Sequence, residues 1–315
     1  MSEPTTTTST RTAEPGQPLL RARGLSRAYT LPRDSFFQRQ RTTTALHAAD
    51  LDVQTGETVG IIGESGSGKS TLVRLLLALD TPTTGTVEFD GRPVTATDGR
   101  KAPSGRDLHW FRRETGIVFQ DPYASLDPRM TVGRIIAEPL LALDIPGDRR
   151  SKVHGVLRLV GLDADAADRY PHEFSGGQRQ RIALSRAIVH RPKLLVGDEP
   201  LSALDVTVRA QILELLAKLR AELGLTIVLV SHDIGVVQHL CDRVVVMKDG
   251  EIVEQGPVGE VLNRPKHAYT RELLDSVPTI SVPTGGATTS GATARPAAPH
   301  DPSTPPSDST PGAEV

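Results

Sequence analysis

An α/β fold is predicted by three observations. Short apolar runs of strand length, at residues 58–62, 193–199 and 226–230, stand between stretches whose apolar residues recur at helical spacing. The first run leads into a glycine-rich loop, Gly63-Glu64-Ser65-Gly66-Ser67-Gly68-Lys69-Ser70, and the loop into a helical pattern of Leu72, Leu75, Leu76 and Leu79. The second run ends in two acids, Asp198 and Glu199, and the third in Ser231-His232-Asp233. Polar, chemically active residues therefore gather where apolar strands stop, which is the edge at which open α/β sheets bind ligands.

The elements follow in order. Residues 1–18, rich in Thr, Ser, Pro and Glu, form an expected disordered tail, and residues 19–30 an edge strand that ends at Tyr29 and Thr30. Residues 31–44, with Pro32, Arg33, Arg39, Arg41 and three consecutive threonines, predict an exposed loop. Strand character resumes at 45–53, Gly56 makes a turn into the strand at 58–62, and residues 87–91 form a hairpin arm that turns at Asp90-Gly91. Residues 115–120 predict a buried strand with Gln120 at its end, followed by a loop spaced by Pro122 and Pro128.

From Thr131 the pattern is helical, with Val132, Ile135, Ile136 and Leu140, and Pro139 is expected to end or bend this helix. Residues 130–190 as a block interrupt the alternation and predict a helical subdomain. The helix marked by Ile212, Leu215, Leu216 and Leu219 stops at Gly224, a C-terminal cap. Strands at 243–247 and 251–254 join through Asp249-Gly250, a small helical tail covers 259–262 and 267–274, and residues from 279 onward are expected to be disordered.

Bulk properties exclude several classes. With 38 acidic and 36 basic side chains the formal net charge is −2, so no overall positive field draws nucleic acid. The one cysteine, Cys241, rules out an internal disulfide, a four-cysteine zinc site and a cysteine-ligated iron–sulfur cluster, and it fits a reducing cytoplasm. No apolar run approaches the ~18 residues of a membrane span, so the chain is expected to be neither secreted nor itself membrane-spanning.

The glycine-rich loop has a specific chemistry. Its glycines let the backbone curl until several N–H groups point inward, and the following helix aims its positive end at the same spot. Such a nest suits a polyphosphate, with Lys69 reaching the terminal phosphates and the Ser70 hydroxyl, beside Thr71, at a Mg²⁺ position. A second helix start, Phe174-Ser175-Gly176-Gly177-Gln178, precedes Ile182, Leu184, Ala187 and Ile188 and predicts a second anion site. One nucleotide needs only one loop of the first kind, and dimerisation accounts for the surplus.

These residues, in this order, resemble the ATP-binding subunits of ABC transporters, whose signature is a Leu-Ser-Gly-Gly-Gln stretch between the phosphate loop and the acidic strand. Phe174 stands where Leu is usual. The resemblance implies a P-loop NTPase core of the RecA-like kind, with an antiparallel β subdomain and an inserted helical signature subdomain. It implies a domain over residues 19–256, ATP and Mg²⁺ as cofactors, and two subunits packed head to tail around each ATP. By resemblance, residues 63–71 hold the phosphates, Ser175, Gly176, Gly177 and Gln178 contact the γ-phosphate across the dimer, and Asp205 lies in the loop that crosses the interface. Asp198 serves Mg²⁺, Glu199 is the general base, His232 senses the γ-phosphate, Gln120 links Mg²⁺ to the membrane partners, and Tyr29 stacks on adenine. With every catalytic position matched, a non-hydrolysing subunit is not expected.

Finer resemblance points to the oligopeptide, dipeptide and nickel importers. Residues 120–130 are similar to that group's loop, with Asp127 for a usual Asn, and residues 265–274 to its tail, with Ala268 for a usual Pro; the tail region is taken as 257–278. The implied partners are a second ATPase subunit, identical or paralogous, two transmembrane permeases and, through them, an extracellular solute-binding protein, without nucleic acid. The implied place is the cytoplasmic face of the cell membrane and the implied cargo a peptide, with nickel or another small solute as the alternative. A soluble relative acting on ribosomes or DNA would be expected to carry a long coiled coil, zinc cysteines or two tandem ATPase domains, and the sequence has none of these.

Overall fold

The computed structural model describes residues 17–30, 41–95, 103, 105–121, 125–202 and 204–276; the two predicted disordered tails lie outside this range apart from Gln17 and Pro18. Among the described residues, ten strands form two sheets. Leu20–Thr30 (β1), Thr42–Val53 (β2), Thr84–Phe89 (β4) and Arg92–Pro93 (β5) make an antiparallel sheet in the order β2-β1-β4-β5. The second sheet holds Thr58–Ile62 (β3), Thr115–Val118 (β6), Leu194–Asp198 (β7), Thr226–Val230 (β8), Arg243–Lys248 (β9) and Glu251–Pro257 (β10) in the order β10-β9-β3-β8-β7-β6. All its neighbours run parallel except β10 against β9.

The parallel sheet is covered on both faces, and this explains its unbroken apolar strands. Every residue of β3 and β8 is buried. Leu194 and Val196 enter the cluster shared with the antiparallel sheet and helix Lys69–Leu76 (α1), whereas Leu195 enters the opposite cluster. That opposite cluster runs without a break from Leu195, Ile227 and Leu229 to the helices Val132–Ala142 (α3), Arg149–Leu159 (α4) and Gly176–Ile188 (α5). The helical block therefore shares its apolar core with the sheet. His109–Glu114 (α2) carries Trp110, which packs near Phe89 and Phe111 beneath the Arg92 guanidinium.

Three expectations need correction. Residues 19–30 are not an edge strand, because β1 pairs with β2 on one side and β4 on the other. Its arginines form ion pairs on one face, Arg21 and Arg23 with Asp52 and Arg27 with Asp80, while Leu20, Ala22 and Leu25 are fully buried. Thr42, Thr43 and Thr44 belong to β2 and pair with Thr30, Tyr29 and Ala28; β-branched side chains suit this extended backbone. The rest of the expected loop, residues 31–40, lies outside the described residues. Finally, of the two outcomes expected at Pro139, an end is overturned, since α3 continues to Ala142. Burial of Ile135, Ile136 and Leu140 around it outweighs the proline's cost of roughly 3 kcal/mol.

Helices Val206–Leu223 (α6) and Ile234–Leu240 (α7) follow β7 and β8, and Val258–Asn263 (α8) and Ala268–Asp275 (α9) form the tail. Gly224 ends α6 in a left-handed conformation. Cys241 fills the space against Gly60, where a Cβ would lie 3.0 Å from its sulfur, and burial raises its thiol pKa to about 12. It is a packing group.

Candidate functional site

The loop after β3 is built by close backbone approach. A Cβ on Gly63 would lie 2.2 Å from the Met247 carbonyl oxygen, and one on Gly68 would lie 2.7 Å from that of Ala45. Both glycines also have positive φ, 149° and 97°, so a side chain there is excluded twice over. Gly68 caps α1, whose start carries no side-chain cap and no acid in its first turn. An anion can take that place. Lys69 is buried; its Nζ donates to the carbonyls of Gly63 at 2.8 Å and Glu64 at 2.7 Å. Burial holds its pKa below the usual lysine value, against the opposing charges of Glu199, Asp198 and Glu64.

Parallel pairing brings the ends of β3, β6, β7 and β8 to one edge, and the predicted residues meet there. Ser70 Oγ donates to Asp198 Oδ1 at 3.2 Å. Glu199 Oε2 lies 3.3 Å from His232 Nδ1 and 3.4 Å from Gln120 Nε2, so side chains following two neighbouring strands converge on one oxygen of a carboxylate at the end of a third. Glu199 itself has φ 48°, a conformation few non-glycine residues adopt; its amide donates to Val230 O at 3.1 Å and its carbonyl accepts from Ser202 Oγ at 3.0 Å. One cleft is lined by Gly63, Glu64, Ser65, Gly66, Gly68, Lys69, Ser70 and Thr71 together with Gln120, Glu199 and His232. Ser67 instead turns inward and is buried.

Burial raises the Asp198 pKa above the usual carboxylate value, with the Glu199 charge adding to it and the Ser70 hydrogen bond opposing it. A raised folded-state pKa means that ionisation costs stability: the contribution of the protonated form is full below the unfolded value and is lost as pH rises through the folded one. Asp198→Asn is therefore expected to raise the melting temperature of the nucleotide-free protein by a few degrees at pH 8, with the gain shrinking toward pH 4. Calorimetric scans across that range check it, and a lower melting temperature at pH 8 would contradict the sign.

Other predicted residues lie elsewhere in the chain. Tyr29 lines a neighbouring cleft with Arg27, Val73, Arg74, Asp80 and Asp198; its hydroxyl donates to Asp80 Oδ2 at 2.8 Å and the Arg27 guanidinium covers its ring. Ser175, Gly176, Gly177 and Gln178 open α5 away from the loop cleft. Ser175 and Gln178 form a capping box, each side chain accepting from the other's amide, which organises the helix start. A Cβ on Gly177 would meet Val208 Cγ1 at 2.5 Å, so α5 lies tight against the first turn of α6, whose N-cap is Asp205 accepting from Val208 N at 2.9 Å. The signature and Asp205 are thus neighbours of each other.

Sequence reading missed Tyr269 and Leu273. The Tyr269 hydroxyl accepts from Glu64 N at 3.0 Å, and Leu273 lines the loop cleft. Their spacing of one helical turn within residues 265–274 was the available signal.

Comparison with known proteins adds the following. Residues 46–202 match the family described as ABC transporter, and residues 253–303 match the oligopeptide/dipeptide transporter C-terminal region. The chain is 43% identical over 275 residues to the dipeptide transport ATP-binding protein DppF of Escherichia coli, covering 87% of this chain and 80% of that protein. It is 43% identical over 266 residues to DppF of Haemophilus influenzae, covering 84% and 79%. Among solved structures it resembles the dimeric post-hydrolysis state of the ATP-binding cassette MJ0796 bound to ADP and Pi, with a TM-score of 0.64, 30% identity, and coverage of 76% and 98%.

Proposed function

The chain belongs to the ABC transporter ATPases and carries the C-terminal region of their oligopeptide/dipeptide group, and from that premise we propose that it hydrolyses ATP to drive peptide import through a membrane transporter. The observation that carries the reading is the convergence of Gln120, Glu199 and His232 at the edge of the cleft formed by the phosphate loop.

In this reading the loop amides and Lys69 hold the phosphates of ATP. Glu199 takes a proton from water as the water oxygen attacks the γ-phosphorus; the bond to the bridging oxygen breaks, and ADP and phosphate leave. His232, against Glu199 Oε2, orients base and water, and Gln120 reports the occupancy of the site to the surface beyond it. Ser70 and Asp198 would hold Mg²⁺, since both offer the oxygen donors that this ion prefers. Mg²⁺ would supply neutralisation of charge developing on the phosphates.

The signature residues lie outside the loop cleft, which supports a composite site: Ser175, Gly176, Gly177 and Gln178, with Asp205 beside them, act on ATP held by a second subunit. Tyr29 meets adenine at the outer side of α1. In this reading the pore belongs to separate permeases at whose cytoplasmic face this subunit sits; among the described residues no helix is long and apolar enough to cross a membrane. The groove beside Gln120, with exposed Phe119 and Leu79, suits a permease helix. Peptide specificity lies with the permeases and a solute-binding protein.

Purification of the full chain from solubilised membranes tests this. Recovery with two permeases, and ATPase activity in vesicles stimulated by a peptide-loaded binding protein, is the expected result. Recovery with ribosomes or DNA instead would overturn the reading.

A further inference from the structure

The tail helix α9 is docked on the phosphate loop. Tyr269 is 3% exposed and packs in one cluster with Ile62, the residue before Gly63, and Ile234, two residues after His232. Leu273, one turn on, lines the loop cleft itself. The approach of the helix is held from behind, since the Glu254 carboxylate accepts from Lys266 N at 2.9 Å and His267 N at 3.0 Å, and His267 Nδ1 accepts from Tyr269 N at 3.2 Å. Lys248 Nζ lies 4.5 Å over the Tyr269 ring.

The bond to Glu64 N has a particular target. That N–H and the Gly63 carbonyl belong to one peptide unit, and the Gly63 carbonyl is one of the two that Lys69 Nζ donates to. A planar peptide places its N–H and C=O on opposite sides. Tyr269 holds one side and so directs the other at the ammonium. We propose that Tyr269 is a positioning residue of the nucleotide site: its hydroxyl fixes the Gly63–Glu64 peptide so that Lys69 is aimed for the terminal phosphates, and the C-terminal appendage thereby sets the affinity for ATP. The inference rests on the ATPase reading above.

The test is Tyr269→Phe in the full chain, which keeps the ring and its packing and removes only the hydroxyl. A net hydrogen bond of ordinary strength corresponds to an increase of about fivefold in the Kd for ATP, measured by titration calorimetry with EDTA present. Exchange of the Glu64 amide hydrogen, followed by NMR without nucleotide, is expected to quicken by about tenfold, with the melting temperature within a few degrees of the parent. Unchanged Kd and unchanged Glu64 exchange would overturn the proposal, as would a weakened Kd accompanied by a broad loss of protection through β3 and α9, which marks a structural role. The parent titration separates the two readings: a parent that does not bind ATP strikes the ATPase reading, while a parent that binds and a variant that matches it strike only Tyr269.

Discussion

Replacing Glu199 by Gln is expected to lower steady-state ATP hydrolysis by about 10²- to 10⁴-fold while leaving the Kd for ATP within about twofold. The amide is nearly isosteric and retains an oxygen for His232 and Gln120 to approach, so the convergence around this position survives. What is lost is the ability to take a proton from water. Because ATP stays bound, the closed dimer is expected to accumulate, visible as an ATP-dependent shift in light scattering. Phosphate release at the parent rate would reassign the base.

The second large effect is a contrast between Lys69→Ala and Ser175→Arg. Lys69 lies in the loop cleft and is expected to be required for binding, with ATP affinity falling by about 10²-fold or more when a charge-assisted contact to phosphate and its neighbours is removed. Ser175 is exposed and outside that cleft, so Ser175→Arg is expected to leave the chain's own ATP affinity within about twofold and to reduce turnover of the assembled ATPase by about 10²-fold. Titration calorimetry on the single chain and phosphate release from the assembly separate the two quantities. Loss of ATP affinity in the isolated Ser175→Arg chain would remove the composite site. The arginine also deletes a helix cap, so a melting curve accompanies the measurement, with a decrease of a few degrees expected.

These expectations arise because local chemistry at this site is unusually explicit. The loop at residues 63–70 announces itself through glycines that positive φ and close backbone approach require, and at Gly63 and Gly68 the structure supplies the approaching atoms, Met247 O and Ala45 O. The acids at 198 and 199 end an apolar run long enough to be a buried strand, and its parallel pairing with β8 puts Glu199 beside His232. The four-stranded sheet was less legible. Residues 19–30 read as an edge strand, yet β1 is paired on both sides and its arginines lie over a fully buried row of Leu20, Ala22 and Leu25, since a strand can be charged on one face and central in its sheet. Pro139 reads as a helix stop or bend, and the stop fails because sequence shows the missing N–H but not the packing of its neighbours.

By itself, the sequence determined the alternation of strands and helices, the phosphate loop, and the acid and histidine at strand ends, because each depends on short-range periodicity and on residue types with few other uses. Only the tertiary structure decided which of them meet. Register along β3, β8 and β7 brings Ser70 to Asp198 and His232 to Glu199, while Ser175 to Gln178 and Tyr29 are carried to other surfaces. The contact of Tyr269 with Glu64 joins residues 205 positions apart, and the one-turn spacing of Tyr269 and Leu273 marks a helix face without naming what it packs on. Strand order and helix docking set such distances, and both are outcomes of burying apolar faces drawn from the whole chain.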